Sequence, residues 1–229
     1  MAVLNLERIA KTYRTGIQSV EALRGIDMSV EAGEFLAIVG PSGSGKTTLL
    51  NIIGCLDVPT SGKVVYEGKE LHALKENQLA DYRKSRISFI FQSYNLIPVL
   101  TIQENVELPL VIERTFSRAE IDAKAKEMIA AVGLGGMEKR YPREISGGQE
   151  QRVAIARALV KEPILVLADE PTANLDSATA TEIVSIMEKI NASRGVTFIF
   201  STHDQMVQRQ ARRVVTIRDG SVHSDERKA

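Results

Sequence analysis

Tryptophan is missing from this 229-residue sequence, and cysteine occurs once, at Cys55. One thiol cannot close a disulfide within the chain, so the fold must be held by its core. A chain of this length can bury a core large enough for that. Aromatic residues are scarce, at 5%, yet apolar residues reach 44% and charged residues 25%, the balance of an ordinary globular protein. Neither charge sign dominates, since 29 basic side chains meet 29 acidic ones. The basic excess that draws a protein onto nucleic acid is lacking, and no nucleic-acid partner is expected. No apolar run approaches the ~18 residues needed to span a bilayer. The opening residues MAVLNLERIAKTY lack the basic-then-apolar order of a secretory signal. The expectation is a cytoplasmic chain that works at a membrane only if another chain provides the span.

Cys55 sits in the apolar stretch LLNIIGCLD and is expected to be packed core. The stretches VLNLERIAKTY and ALRGIDMSVEAGEFLAIVG alternate apolar and polar residues between turn signals, which predicts strands. Further strands are expected over 34–39, 63–68 and 86–92, and a helix over 47–54. Residues 93–159 are mostly helical in pattern, with Ser117 as an N-cap for SRAEIDAKAKEMIAAVGL. The runs PILVLADE and VTFIFSTHD are short and continuously apolar, suiting strands covered on both faces. RRVVTIRDGSV closes the chain as a hairpin. One domain spanning 1–229 is expected: an α/β core with a helical part inserted at roughly 93–159 and antiparallel strands toward the N-terminal half.

Gly40, Pro41, Ser42, Gly43, Ser44, Gly45, Lys46 and Thr47 match G-x-x-x-x-G-K-[ST] at every fixed position, between a strand and a helix. Glycines let backbone N–H groups wrap phosphate oxygens, Lys46 neutralises the β/γ charge, and the Thr47 hydroxyl reaches Mg²⁺. Thr48 completes the GPSGSGKTT run, and the helix that follows adds its dipole. Farther on, Asp169 and Glu170 end an apolar strand that Pro171 stops. Asp169 is placed to hold Mg²⁺, and Glu170 to polarise a water for attack on the γ-phosphate.

A second cradle then stands out in ISGGQEQRVAIARAL. Ser146 is placed to cap a helix whose free N–H groups favour an anion, and Gly147 and Gly148 leave room for close approach. Residues 40–47 already serve one triphosphate; that triphosphate could lie between both cradles of one molecule, but a separate helical part is better placed to close over ATP from outside.

GPSGSGKTT, Gln92, ISGGQ, ILVLADEP, NLD and STHD occur in the order of the ATP-binding-cassette (ABC) ATPases, and the resemblance covers nearly the whole chain. It implies a P-loop NTPase fold with a RecA-like core, an antiparallel β subdomain and an α-helical subdomain. It also implies ATP and Mg²⁺ as cofactors and hydrolysis of ATP. Residue by residue, Tyr13, in an N-terminal loop continuing through RTGIQSV, would stack on adenine. Gln92 would contact Mg²⁺ and the attacking water and sense a partner. Ser146, Gly147, Gly148 and Gln149 would form the signature motif, Asp176 would lie in a loop crossing a dimer interface, and His203 would contact the γ-phosphate. The implied partner is a second copy of the chain, arranged head-to-tail around two ATPs, which also gives the second cradle its phosphate.

The stretches TGIQSVEALRGID, LLNIIGCLDVPTSG, FIFQSYNLIPVLTIQENVELPL and SGGQEQRVAIARALV resemble the lipoprotein-releasing, macrolide-export and cell-division ATPases, which would add transmembrane permease subunits and place the chain at the inner face of the membrane. Leu96, Ile97, Val99 and Leu100 are the expected docking surface. The sequence departs from the family pattern at Ile145, Glu150 and Ala173 without removing a catalytic group. A cassette acting on nucleic acid or another macromolecular complex is the alternative, but the interval between the phosphate loop and signature is too short for a repair-type coiled coil. Only one cassette is present, against the two of ribosome-acting members.

Overall fold

The five residues of LVLAD show how the molecule is layered. Strand β7 (Leu165–Asp169) directs Leu165 and Leu167 into one apolar cluster, and Val166 and Ala168 into another on the opposite face. Strand β3 (Phe35–Val39) alternates likewise, with Phe35 on one side and Leu36 and Ile38 on the other; in β8 (Thr197–Ser201), Phe198 and Phe200 oppose Ile199. A period of two with both faces apolar is what a parallel strand covered on both sides requires. The computed structural model describes residues 2–228 apart from Ile17, His72 and Ala73.

Strands β3, β8 and β7 lie at the centre of a six-stranded sheet. β6 (Ile87–Ile90) flanks β7, and β9 (Arg213–Arg218) with β10 (Ser221–Arg227) flanks β3, giving the order β10-β9-β3-β8-β7-β6. All neighbours are parallel except the terminal β9–β10 hairpin. One face is covered by α1 (Lys46–Ile53) and by an antiparallel sheet of order β2-β1-β4-β5, made from β1 (Ala2–Thr15), β2 (Gln18–Glu31), β4 (Ser61–Tyr66) and β5 (Lys69–Glu70). Strands β1 and β2 have 14 residues each and keep their pairing through several register shifts. Cys55 is buried in this cluster, where desolvation pushes its thiol up to about 11. It is packed core.

The other face is covered by α3 (Ile102–Glu113), α4 (Arg118–Ala131), α5 (Gly147–Leu159) and α6 (Ser177–Arg194). Ser117, Thr101 and Ser146 each cap their helix through a capping box, so the helix starts are written in local side-chain chemistry. The helices over 93–159 share one apolar cluster with α6 and the sheet, so their core is continuous with that of the α/β layer. Helix α2 (Glu76–Arg86) and α7 (Gln205–Gln210) complete the element order. Among the described residues, no helix is long and apolar enough to cross a membrane.

Candidate active site

The carboxyl ends of four adjacent parallel strands deliver the site: β3 leads into the phosphate loop, β8 into His203, β7 into Asp169 and Glu170, and β6 into Gln92. In an open parallel sheet this edge is where the loops converge on a ligand. Here they enclose a cavity of about 770 Å³ lined by the phosphate loop, Gln92, Asp169, Glu170, Ser201 and His203.

Gly45 is the N-cap of α1 at φ 106°, and a β-carbon on it would stand 2.6 Å from the Ala22 carbonyl, so this corner is closed to any side chain. No side chain caps α1 and no acidic residue occupies its first turn, which leaves its N–H groups and dipole open to an anion. Lys46 Nζ donates to the carbonyls of Gly40 at 2.8 Å and Pro41 at 2.9 Å. The ammonium thus lies folded back across the loop it would serve.

Burial raises the Asp169 pKa; a hydrogen bond from Ser201 and the Lys46 charge oppose that, and the neighbouring Glu170 charge adds to it. Glu170 sits at φ 46°, a left-handed backbone that a residue with a side chain holds only when its surroundings enforce it. Its N–H donates to the Ser201 carbonyl at 2.9 Å. Its Oε2 accepts from the Thr202 hydroxyl at 3.2 Å, and its Oε1 lies 2.7 Å from His203 Nδ1. A carboxylate only accepts, so that ring proton sits on Nδ1. His203 thus engages Glu170 directly while lining the same cavity. Gln92 Nε2 reaches Asn174 Oδ1 at 3.4 Å, and Asn174 Nδ2 donates to the Gln92 carbonyl at 3.0 Å.

Tyr13 departs from its expected loop: it lies in β1, opposite Val20 of β2. Its hydroxyl donates to Asp57 Oδ2 at 2.8 Å, and Lys11 Nζ lies 5.0 Å above its ring. The ring stands beside the nucleotide cavity rather than among its lining residues. Asp57, between Lys11 at 2.5 Å and Tyr13, was missed because nothing in DVPTSG signals chemistry.

Ser146, Gly147, Gly148 and Gln149 are described residues and none of them lines the cavity. Ser146 Oγ accepts from Gln149 N–H at 3.4 Å, and Gln149 Oε1 accepts from Ser146 N–H at 2.9 Å. Both side chains are thereby spent on capping α5. Gly148 has an internal reason for being glycine: a β-carbon there would meet Thr179 Cγ2 at 2.4 Å. Asp176 N-caps α6 through Ala178 and Thr179. Desolvation raises the pKa of Glu150 in the first turn of α5. Gln151 of the same helix is fully buried and donates to the Pro171 carbonyl at 2.7 Å, tying α5 to the segment after Glu170.

The family model described as ABC transporter matches residues 23–173. The chain belongs to the ABC transporter family. An uncharacterised ABC transporter ATP-binding protein of Thermotoga maritima is 46% identical over 99% of this chain and 96% of its own. The macrolide export ATP-binding/permease protein MacB of Syntrophobacter fumaroxidans is also 46% identical, but the chain spans only 32% of its length. The bacitracin export ATP-binding protein BceA of Halalkalibacterium halodurans is 42% identical over 98% of this chain and 88% of its own. Among solved structures, the cassette MJ0796, dimeric and bound to ADP and Pi, superposes with a TM-score of 0.89 at 42% identity over 98% of both chains. As an ABC cassette the chain is an ATP-binding subunit, and its reaction is the hydrolysis of ATP.

Proposed function

We propose that two copies of this chain close head-to-tail over two ATP molecules and drive a transmembrane export partner at the inner face of the membrane. The observation that carries this reading is the separation of the two anion cradles. The phosphate loop, Asp169, Glu170, His203 and Gln92 share one cavity, while the N-terminus of α5 presents an exposed Ser146 outside it. A second copy can bring its own α5 against the triphosphate. The dimer captured for MJ0796 and the export names of MacB and BceA support this arrangement.

In that site Lys46 and the α1 N-terminus bind the β- and γ-phosphates, and Tyr13 stacks on the base. Thr47, Asp169 and Gln92 would hold Mg²⁺ through the hard oxygen donors that suit it. The fit is supported by Asp169, a half-buried carboxylate at the cavity whose ionised form burial disfavours and a nearby positive charge favours. When bound, Mg²⁺ would offset charge on the phosphate oxygens. Glu170 takes the proton of the attacking water, with its carboxylate aimed by Thr202 and His203. γ-Phosphate contacts made by both copies turn ATP binding into association, and hydrolysis removes them.

The membrane partner docks in a groove of about 410 Å³ whose apolar wall is Phe89, Phe91, Leu108, Pro109 and Ile112. Residues 96–100 are not that wall: Leu96 packs on the helical core, and Asn105 holds Ile97 and Leu100 through their main chain. Cargo is read by the partner.

The test uses a mixture. Lys46→Ala and Ser146→Arg chains are each expected to be inactive, while their heterodimer keeps one intact composite site. ATPase activity in the mixture that neither variant shows alone supports the reading. A mixture that behaves as its parts, together with a Glu170→Gln chain that stays monomeric in saturating ATP, would overturn it.

A further inference from the structure

The four residues from Gln92 to Asn95 connect the nucleotide cavity to the partner groove, and their backbone is unusual. Tyr94 and Asn95 are consecutive non-glycine residues at φ 57° and 51°. Two left-handed residues in a row persist only where neighbours hold them. The neighbour is Arg157, in the last turn of α5. Its Nη2 donates to the Tyr94 carbonyl at 2.6 Å and its Nη1 to the Asn95 carbonyl at 2.5 Å. A planar fork can hold two carbonyls at once in a way that an ammonium cannot.

The same segment touches the other end of α5. A β-carbon on Gly147 would stand 3.2 Å from the Tyr94 hydroxyl, so Tyr94 spans from the signature end of the helix to its clamp at the far end. On its other side, Gln92 is bonded through Asn174 to the loop that follows Glu170. Arg157 and Asn95 both line the groove. An occupant of that groove meets the fork before it meets anything in the cavity.

We propose that Arg157 is a positioning residue: its fork fixes the left-handed Tyr94–Asn95 turn, sets where Gln92 stands, and passes the occupancy of the groove to the catalytic cavity. This rests on the reading of Gln92 as a site residue and of the groove as the partner's seat. Arg157 does not touch nucleotide.

Arg157→Lys keeps the charge and removes the fork. In the full chain it should lower kcat for ATP about tenfold while KM stays within about twofold, since the site binds ATP but misplaces Gln92. Its thermal midpoint should stay within a few degrees of wild type. Adding Asn95→Gly, which adopts φ 51° without help, should restore most of the lost kcat. With the membrane partner present, Arg157→Lys should also lose most of the partner's stimulation of turnover.

Wild-type kcat in Arg157→Lys would overturn the proposal. So would a defect carried by KM alone, or one that follows a collapsed thermal midpoint and ignores Asn95→Gly. These measurements read turnover, not association. They therefore decide the role of Arg157 even if Glu170→Gln fails to dimerise, the result that sinks the composite site instead.

Discussion

Gly148 of α5 packs so closely on Thr179 of α6 that a β-carbon at 148 would lie 2.4 Å from the threonine methyl group. Thr179 cannot turn away cheaply, because its hydroxyl donates to Asp176 Oδ2 at 2.6 Å and its N–H to Asp176 Oδ1 at 3.0 Å. The glycine in the signature therefore sets the distance between the helix that would meet a neighbouring copy's ATP and the helix that follows the Asp176 loop. Gly148→Ala should destabilise the chain by about 1–3 kcal/mol, the cost of overpacking a fitted contact. Thr179→Ser removes the methyl and keeps the hydroxyl, so Gly148→Ala with Thr179→Ser should recover most of that loss by denaturant unfolding. Activity that returns along with stability marks the glycine as a packing device. Stability without activity marks it as the place where phosphate approaches.

Asp169 should trade stability for function. Its carboxyl has a raised pKa, because burial, and then the Glu170 charge, penalise ionisation more than Ser201 and Lys46 favour it. An acid whose folded pKa is raised makes the ionised folded state less stable, and the penalty disappears as pH falls below that pKa. Asp169→Asn should thus raise the melting temperature of the nucleotide-free chain at neutral pH. The gap should close as the solution is acidified, and Mg²⁺-dependent ATP hydrolysis should be lost. Calorimetry across pH checks the first pair, and a phosphate-release assay the last.

Asp57 holds Tyr13 from behind. Asp57→Ala releases the tyrosine hydroxyl and Lys11 together. If Tyr13 carries the base, KM for ATP should rise about three- to tenfold with kcat little changed, the pattern of lost uniform binding. Tyr13→Phe should do less, since the ring stays. Equal effects on kcat and kcat/KM would place this cluster elsewhere in the mechanism.

The groove separates from the stretch that the sequence favoured for docking. Ile112 is 53% exposed and lines the groove, whereas Val99 is 76% exposed and does not. Ile112→Asp should cut partner-stimulated ATPase by at least about tenfold, because a buried charge replaces an apolar anchor. Val99→Asp should change it by less than about twofold. Turnover of the isolated chain measures whether either substitution acts on the partner contact alone.

The phosphate loop, the Asp169–Glu170 strand end and the helix caps at Ser117 and Ser146 were legible because each is a local code in which a few neighbouring residues carry the whole geometry. Helix α2 was not, since Leu79 is its one buried residue and a polar helix leaves no apolar period to read. The groove was missed for another reason. Its wall joins β6, α3 and the end of α5, and an adjacency between remote segments has no sequence signal. Exposure of Val99 and its absence from the groove are likewise matters of packing, which composition does not report. The place of Tyr13 in a strand follows from the length of the β1–β2 pairing, which runs through register shifts that alternation alone does not forecast.

Because neighbouring residues of β7 face opposite layers, the strand counts as well as positions. Deleting one residue between Leu165 and Ala168, with the start of the strand held in register, would turn every side chain beyond the deletion to the wrong layer and swing Asp169 to the other side of the edge. Exchanges among Val, Ile and Leu leave that parity intact. Across related chains, this segment should therefore drift freely in spelling and never in length, with insertions and deletions collecting in surface turns.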